Sequence, residues 1–367
     1  MKILIVNNAA FHESDDGKAR IHIKNGDLGE ELENLGYQVG FFQQSIKNSA
    51  SVSTYDPEEH NMEVYKTRMT RSKIWNYIKA AIVGFRAVAR YDFVYMFYPC
   101  SMRYLLLFAM LLGKKYGIYI RGSLGIETSF SYYLYRHSKF VLCETDYFTN
   151  RIKAHDSSIV IETSRPQMDI GENELYKRVI KKKNCYKLLF MARLDRQKGP
   201  IELVDAISVM SKNKSLPNFH LDICGGGPAY NQIKERIEEL HLSSLVTLVG
   251  FLPDYQAVLD AYREADVYVL PTYHDMFPRS LYEAMISGDV CVTTMVGGIP
   301  GIMNSGHNCM EINPKSVDSI VAVLSKLLVE FEFIAPALVE AGYDTVLKVL
   351  RSKTPSHGRQ MDILIKS

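Results

Sequence analysis

The sequence predicts an α/β protein of two doubly wound domains, each with a parallel sheet covered by helices on both faces. Short runs of β-branched and aromatic residues alternate with longer helical patterns throughout the chain. These runs are almost continuously apolar, as strands buried on both faces are. The alternation restarts after a polar stretch near the middle, and 367 residues exceed what one core usually supports.

Twelve strands are predicted, six in each half of the chain. Those of the first half are Lys2–Val6, Tyr37–Phe42, Phe93–Phe97, Tyr116–Ile120, Phe140–Cys143 and Ile159–Ile161. Those of the second half are Lys187–Ala192, His220–Cys224, Val246–Gly250, Val267–Leu270, Val290–Thr294 and Cys309–Ile312. Helical patterns follow most strands, for example Ile201–Met210, Tyr230–Leu240, Asp254–Glu264 and Arg279–Ser287.

The polar stretch Ser164–Tyr186 predicts a solvated interdomain connection, because it holds Arg165-Pro166 and a run of three lysines. Ligands of such folds bind outside the carboxyl ends of the strands, so a cleft between the domains is the expected site. The tail either frays or folds back across the first domain. The predicted divisions are residues 1–165, 166–345 and 346–367.

Composition excludes several classes of protein. Apolar residues make up 47% and charged residues 23%, as in ordinary globular proteins. A net charge of only +2 argues against a nucleic-acid binder. No two of the six cysteines lie closer than 18 residues, so neither a zinc site nor a disulfide framework is indicated, and a cytoplasmic location is expected. The longest apolar run, Leu105–Leu112, is far shorter than a membrane helix needs.

Four loops after strands of the second half carry the candidate chemistry. Arg193 and Lys198 follow one strand and precede a helix, where two cations and free N–H groups suit a diphosphate. The alternative is a solvated loop with ordinary surface cations. Glycine turns at Gly225–Gly227 and Gly297-Gly298 let a backbone approach a ligand, although a plain tight turn explains the first equally well.

Asp275 and Glu283 are eight residues apart, one in a loop and one about two turns into a helix. Two carboxylates so placed suit the hydroxyls of a sugar or ribose. The alternative, acidic charge complementing the helix dipole, suits Asp275 well and Glu283 poorly.

These motifs together resemble family 4 retaining glycosyltransferases: Arg193 to Gly199, Gly225 to Pro228, D-M-F-P-R-S-L-Y-E-A-M and V-G-G-I-P occur in that family's order and approximate spacing. The resemblance is specific over Leu188–Pro314 and looser over the first 165 residues. It implies the GT-B fold of two facing Rossmann-like domains. It also implies retaining transfer from a UDP- or GDP-linked sugar, without metal or further cofactor, to a glycan or polyprenyl-linked acceptor in surface polysaccharide or glycolipid synthesis, such as lipopolysaccharide or capsule.

The resemblance also implies roles for individual residues. Arg193 and Lys198 would bind the diphosphate and stabilise the departing nucleotide, Asp275 would hold hydroxyls of the donor sugar, and Glu283 would hold the ribose. The remaining donor-binding residues implied are Gly17, Arg121, Gly225, Gly227, Phe251, Gly297 and Gly298.

Four departures from the family pattern favour an alternative. The family usually has Glu at Asp275, often has His at Arg121, has Glu at Gly301, and has a Gly-Gly loop where this chain has Asp15-Asp16-Gly17-Lys18. A degenerate subunit that binds a nucleotide sugar or a partner without turnover would tolerate them. Retention of both cations and Glu283 favours the enzyme.

Residues 60–121 hold eleven Lys and Arg against two acidic residues. Within them Ile74, Trp75, Ile78, Ile82, Phe85 and either Val88 or Ala89 recur at helical spacing beside four cations. A basic amphipathic helix carrying a Trp suits an anionic membrane surface, and a peripheral position on the inner membrane face follows from that interpretation. Spacing alone favours the alternative, in which the apolar stripe packs into the core. The membrane-side candidates are Lys73, Trp75, Lys79, Arg86 and Arg90.

Overall fold

The computed structural model describes residues 1–14, 17–47, 53–166, 168, 170–352 and 354–367. The chain forms two compact units. The first unit comprises Met1–Gln167 with Thr354–Ser367, and the second comprises Met168–Lys353. The sequence placed this division two residues earlier, after residue 165.

The described part of the first unit holds a sheet of nine strands in the order β3-β2-β4-β1-β6-β7-β8-β9, with β5 paired to β4. Pairing is parallel except between β2 and β3, so the expectation of a wholly parallel sheet is wrong at this edge. The strands are β1 (Lys2–Val6), β2 (Phe11–Glu13), β3 (Ala19–Arg20), β4 (Gln38–Lys47), β5 (Glu63–Arg68), β6 (Phe93–Tyr98), β7 (Lys115–Ile120), β8 (Phe140–Cys143) and β9 (Ile161–Thr163).

The helices of the first unit include one from the end of the chain. They are α1 (Ile23–Asn34), α2 (Lys73–Arg90), α3 (Leu105–Leu111), α4 (Ser129–His137), α5 (Asp146–His155) and α12 (His357–Lys366). The carboxylate of Glu31 in α1 accepts hydrogen bonds from the Gly358 and Arg359 amides, at 3.0 and 3.1 Å. A carboxylate at a helix N-terminus satisfies amides that have no partner within the helix. The tail is therefore built into the first unit.

The second unit holds a parallel sheet in the order β12-β11-β10-β13-β14-β15 within its described residues. Its strands are β10 (Cys185–Met191), β11 (Asn218–Cys224), β12 (Val246–Gly250), β13 (Val267–Leu270), β14 (Val290–Thr293) and β15 (Met310–Glu311). Its helices are α6 (Pro200–Met210), α7 (Tyr230–Glu239), α8 (Tyr255–Glu264), α9 (Arg279–Ile286), α10 (Val317–Val329) and α11 (Phe331–Leu350).

The order of these strands fixes where the second unit can bind a ligand. The chain first winds outward from β10 to β12, and then α8 carries it back across the sheet to β13 beside β10. The direction of winding thus reverses between β10 and β13. In open α/β sheets the crevice outside the strand ends at such a switch point is the usual ligand site.

All twelve predicted strands overlap a strand of the structure, and β9 begins two residues later than predicted. The sequence missed β2, β3 and β5. Strand β5 pairs with β4 alone among the described strands, which makes it an edge strand, and Thr67 is its one buried residue, so its sequence lacks the continuous apolar run of a central strand.

Part of the predicted solvated connection is packed on the second unit, which corrects that expectation. The Arg178 side chain is 8% exposed, donates to the Gly288 carbonyl at 2.8 Å, and pairs with Asp289 at 2.9 Å. Burial is the main cause that raises the pKa of Asp289 well above its ordinary value. Without Arg178 the buried Asp289 carboxylate would lack an ionic partner, which is costly. The pair therefore fixes this segment to the amino ends of the strands.

Candidate functional site

Loops from four strands of the second unit meet at the switch point and are joined through their backbones. The Leu194 amide, after β10, donates to the Gly226 carbonyl, after β11, at 3.0 Å. The Tyr273 amide, after β13, donates to the Gln197 carbonyl at 2.7 Å. The Gly298 amide, after β14, donates to Asp275 at 3.0 Å. We call these four loops, residues 192–199, 225–229, 271–278 and 294–298, the strand-end rim.

Glycines make these close contacts possible. A Cβ atom on Gly225 would overlap the Ala192 carbonyl, and one on Gly227 would overlap the Leu194 carbonyl. A Cβ atom on Gly297, whose φ is +58°, would overlap the Asp275 carbonyl. The structure therefore gives these three glycines a packing role. Their binding to a donor stays a prediction, as does that of the neighbouring Gly298.

Arg193 and Lys198 lie on the first loop of the rim in different states. The Arg193 side chain is exposed and has neither an ion pair nor a hydrogen bond within the described residues. Lys198 ends a short 3₁₀ turn, Arg196–Lys198, that the Asp195 carboxylate caps by accepting from the Gln197 amide at 2.9 Å. Arg193 is thus open to solvent, whereas the Lys198 side chain is only 24% exposed.

Asp275 is the partner of Lys198, since its Oδ2 atom forms an ion pair with the Lys198 Nζ atom. Its Oδ1 atom accepts from the Met276 amide at 3.0 Å, and its side chain is 14% exposed. The structure thus brings together one predicted cation and one predicted carboxylate. The predicted role of Asp275 toward sugar hydroxyls remains a prediction.

Glu283 lies on α9, and its Oε2 atom accepts a hydrogen bond from the Tyr262 hydroxyl at 3.1 Å. Tyr262 is fully buried, and burial followed by the charge of Glu283 raises its pKa well above the ordinary value. Tyr262 therefore stays protonated, and its hydroxyl donates the hydrogen bond that orients the Glu283 carboxylate. Tyr262 was not predicted from the sequence, because a tyrosine on the previous helix carries no motif that connects it to Glu283.

Phe251 follows β12 beside the glycine turn and is 77% exposed. A Cβ atom on Gly226 would overlap its ring, so the middle glycine of the triplet leaves room for the aromatic side chain. The sequence did not single out Gly226 as a site residue. The resemblance implies a position near the base of the donor for Phe251, and this role stays a prediction.

The two donor-binding predictions in the first unit are Gly17 and Arg121. Gly17 has φ +78° in a turn where its amide donates to the Ser14 carbonyl at 2.9 Å, and a Cβ atom there would have no neighbour within 4 Å. Asp15 and Asp16, which the sequence analysis also named, lie outside the described residues.

Arg121 follows β7 and is held by neighbours of the first unit. Its Nη1 atom donates to Asn25 Oδ1 at 2.9 Å, its Nε atom donates to Glu144 Oε1 at 3.3 Å, and its guanidinium lies 5.0 Å from the Phe97 ring centre. Nearby, His357 Nε2 lies 2.8 Å from the Tyr95 hydroxyl. Burial and then the charge of Arg121 lower the pKa of His357 to about 3.

Helix α2 leaves its apolar stripe exposed from Ile74 to Phe85, so the core-packing alternative holds only for Val88, which is fully buried. Ile74 is 75% exposed and Trp75 is 51% exposed. The helix instead packs through small residues, since a Cβ atom on Gly84 would lie 2.6 Å from the Leu105 side chain of α3. We call the exposed face of α2 and α3 the α2 surface; its apolar members are Ile74, Trp75, Tyr77, Ile78, Ile82, Phe85, Leu107 and Leu111.

The cations predicted for the membrane side accompany this surface. Lys73, Arg86 and Arg90 are exposed, and Lys79 Nζ lies 5.6 Å from the Trp75 ring centre. Among the residues that the structure describes, no helix combines the length and the apolarity needed to cross a bilayer.

The cysteines are all free, and only Cys185 is exposed. Burial raises the pKa of the Cys100 thiol to about 11 and that of Cys143 to about 12. Over the described ranges, no three His, Cys, Asp or Glu side chains are grouped where they could hold a metal ion.

The two Rossmann-like units are those of the GT-B glycosyltransferase fold. HepE of Anabaena, solved in complex with UDP, aligns over the whole of both chains with a TM-score of 0.65 at 13% identity. Likeness at this level of identity shows the fold alone.

Residues 172–332, which lie within the second unit, match the family described as "Glycosyl transferases group 1". Mannosylfructose-phosphate synthase of Agrobacterium fabrum is 29% identical over 145 residues, 38% of this chain and 32% of that protein. The UDP-Gal:alpha-D-GlcNAc-diphosphoundecaprenol alpha-1,3-galactosyltransferase of Escherichia coli is 24% identical over 160 residues, 43% and 41% of the two chains. The matched region covers about a third of the length of mannosylfructose-phosphate synthase.

Proposed function

We propose that the chain is a retaining glycosyltransferase that moves a sugar from a UDP- or GDP-linked donor to a glycan or lipid-linked acceptor. The observation that carries the proposal is the rim at the switch point, where the exposed Arg193 and the half-buried Lys198 accompany Glu283 on the adjoining helix. The group 1 domain covers this rim, and the UDP complex of HepE supports a nucleotide donor.

The chemistry follows from where charge develops. As the bond between the sugar and the diphosphate breaks, the leaving nucleotide gains negative charge and the sugar becomes cationic. Cations that contact the diphosphate therefore stabilise the transition state more than the ground state. Arg193 and Lys198 supply those cations, and no bound metal enters the proposal. Glu283, oriented by Tyr262, accepts hydrogen bonds from the ribose hydroxyls.

The α2 surface supports an acceptor carried by a membrane lipid. Exposed apolar side chains, including one Trp, lie beside cations, a combination that binds anionic lipid surfaces through both burial and charge. The name of the Escherichia coli relative specifies a diphosphoundecaprenol acceptor. We therefore assign the chain to glycolipid or surface polysaccharide synthesis, peripheral on an anionic membrane.

Thermal-shift measurements with UDP, GDP, ADP and their sugar conjugates test the proposal, because a ligand that binds only the folded state raises the melting temperature. We expect a shift with one nucleotide family and none in Arg193→Ala at the same concentration. Release of free sugar from the matching donor then measures turnover without a known acceptor. Binding without turnover would favour the non-catalytic subunit, and no shift with well-folded protein would contradict the donor site.

A further inference from the structure

The ion pair between Lys198 and Asp275 sets these residues apart from the rest of the rim. Both cations of the rim are proposed to bind the donor diphosphate, yet only Arg193 lacks a partner within the described residues. Lys198 has already paired with a carboxylate. A diphosphate that reaches Lys198 must therefore compete with Asp275 or share the lysine with it.

We infer that Asp275 is a positioning residue that acts through Lys198: it competes with the diphosphate for this lysine and so promotes release of the nucleoside diphosphate product. The inference rests on the proposed function and deepens it. It concerns binding of the product. The resemblance implies a different role, in which Asp275 binds hydroxyls of the donor sugar.

Contacts on the backbone fix Asp275 more firmly than Lys198. The Asp275 carbonyl accepts from the Gly298 amide at 3.0 Å, and its Oδ1 atom accepts from the Met276 amide at 3.0 Å. Gly297 packs so closely against that carbonyl that a Cβ atom would not fit. Lys198 instead reaches Asp275 at the end of a flexible four-carbon stem. When a ligand binds, the lysine is the group that moves.

The charge of the ligand determines how strongly the carboxylate opposes it. In a nucleotide sugar the terminal phosphate is esterified, whereas in the released nucleoside diphosphate it has an additional ionisable oxygen with a pKa of about 6. The product therefore carries almost one more negative charge at neutral pH. A fixed carboxylate at the same rim opposes the product more than the donor. Asp275 thus weakens binding selectively after transfer.

Asp275→Asn tests this, because it removes the charge and keeps an oxygen for the Met276 amide. Calorimetric titration with UMP, UDP and UDP-glucose, or with the guanosine series if the wild type prefers it, measures the dissociation constants. We expect the nucleoside diphosphate to bind about tenfold more tightly, the nucleotide sugar to gain less, and the monophosphate to change least. Product inhibition of donor hydrolysis should strengthen in parallel. Equal or weaker binding of the diphosphate by folded Asp275→Asn would overturn the inference.

Two further variants separate the mechanisms. In a Lys198→Met background, adding Asp275→Asn should raise diphosphate affinity by clearly less than tenfold, because only the direct repulsion by the carboxylate then remains, and an undiminished tenfold gain would show that Asp275 does not act through the lysine. Glu283→Gln removes the other carboxylate, which is bonded to Tyr262, and should weaken binding rather than tighten it. Asp275→Ser replaces Asp275→Asn should that variant not fold.

The wild-type titration distinguishes failure of the proposed function from failure of the proposed role of Asp275. A wild type that binds neither UDP nor GDP would overturn the proposed function together with this inference. A wild type that binds one of them, with affinity unaltered in Asp275→Asn, would overturn only the role of Asp275.

Discussion

The two units place cations at equivalent positions, after a parallel strand at its carboxyl end, but in different electrostatic states. Arg121 follows β7 in the first unit and is bonded to Asn25 and Glu144. Arg193 follows β10 in the second unit, is exposed, and has no charged partner within the described residues. Both cations therefore lie where α/β folds usually bind ligands. The charge of Arg121 is already paired, whereas that of Arg193 has no partner within the described residues and is available to an anion.

The largest expected effect tests the second unit directly. Arg193→Ala should lower turnover of the donor by about 10²–10³-fold, the loss typical of one group that stabilises a developing charge. Its melting temperature should stay near that of the wild type, because the side chain is exposed and has no ion pair or hydrogen bond within the described residues. Lys198→Ala should also lower turnover by orders of magnitude. Turnover like that of the wild type in either variant would remove the leaving-group role.

The α2 surface of the first unit is exposed, and its proposed role is binding to an anionic membrane. Replacing Lys73, Arg86 and Arg90 by Gln should weaken binding to anionic vesicles by about 3 kcal/mol at low salt, since each cation contributes about 1 kcal/mol near such a surface. The loss should shrink as salt rises. Replacing the exposed Lys212, Lys214 and Lys234 of the second unit is the matched control. Equal vesicle binding by the two triple variants would contradict a specific surface.

Arg121→Met tests whether the paired cation has a structural role. The variant leaves the largely buried Glu144 without this partner, so we expect a loss of about 1–3 kcal/mol in the free energy of unfolding. Nucleotide affinity should stay unchanged, because the charge of Arg121 is already compensated. Chemical denaturation and titration measure the two quantities. Weaker nucleotide binding with stability intact would instead support the donor-binding role that the resemblance implies.

His357 connects the first unit to pH. Its pKa in the folded chain is about 3, below the ordinary value of 6.5. Between these two pH values the imidazole is protonated in the unfolded chain and neutral in the folded chain. The stability that this difference contributes is present above pH 6.5 and is lost as pH falls toward 3. We expect His357→Gln to remove about 1–2 kcal/mol of the decline in stability between pH 6.5 and pH 5. Parallel stability curves for the two proteins would contradict a neutral His357.

The sequence predicted the fold well because buried central strands carry continuous apolar runs. The strands Lys2–Val6, Val246–Gly250 and Val267–Leu270 have the predicted bounds. The edge strand Glu63–Arg68 was missed, since one solvated face removes that signal. Periodicity also could not decide which face of α2 packs inward. The burial of small residues such as Ala80, Gly84 and Ala87 gives the answer only once the neighbouring helix is in place.

Motifs located the strand-end rim, but pairing within it depends on three-dimensional contacts. Lys198 and Asp275 are 77 residues apart, and neither motif indicates that the two side chains meet. The hydrogen bond from Tyr262 to Glu283 could not be predicted either, because no motif connects these two residues. Gly297 was predicted to line a pocket, and the structure adds its contact with the Asp275 carbonyl. Sequence therefore identifies candidates, whereas the structure shows which of their charges are already compensated.

The smallest expected effect compares one glycine from each unit. Gly17 has a left-handed φ of +78° but open space around it, so Gly17→Ala should cost only about 1 kcal/mol for the strained backbone. Gly225 has φ +125°, and a Cβ atom there would overlap the backbone of Ala192, so Gly225→Ala should cost more stability and also lower turnover by displacing the loop that carries Arg193. Denaturation midpoints and donor hydrolysis for both variants measure the difference. A larger loss of turnover in Gly17→Ala would reverse the comparison and place the more sensitive turn in the first unit.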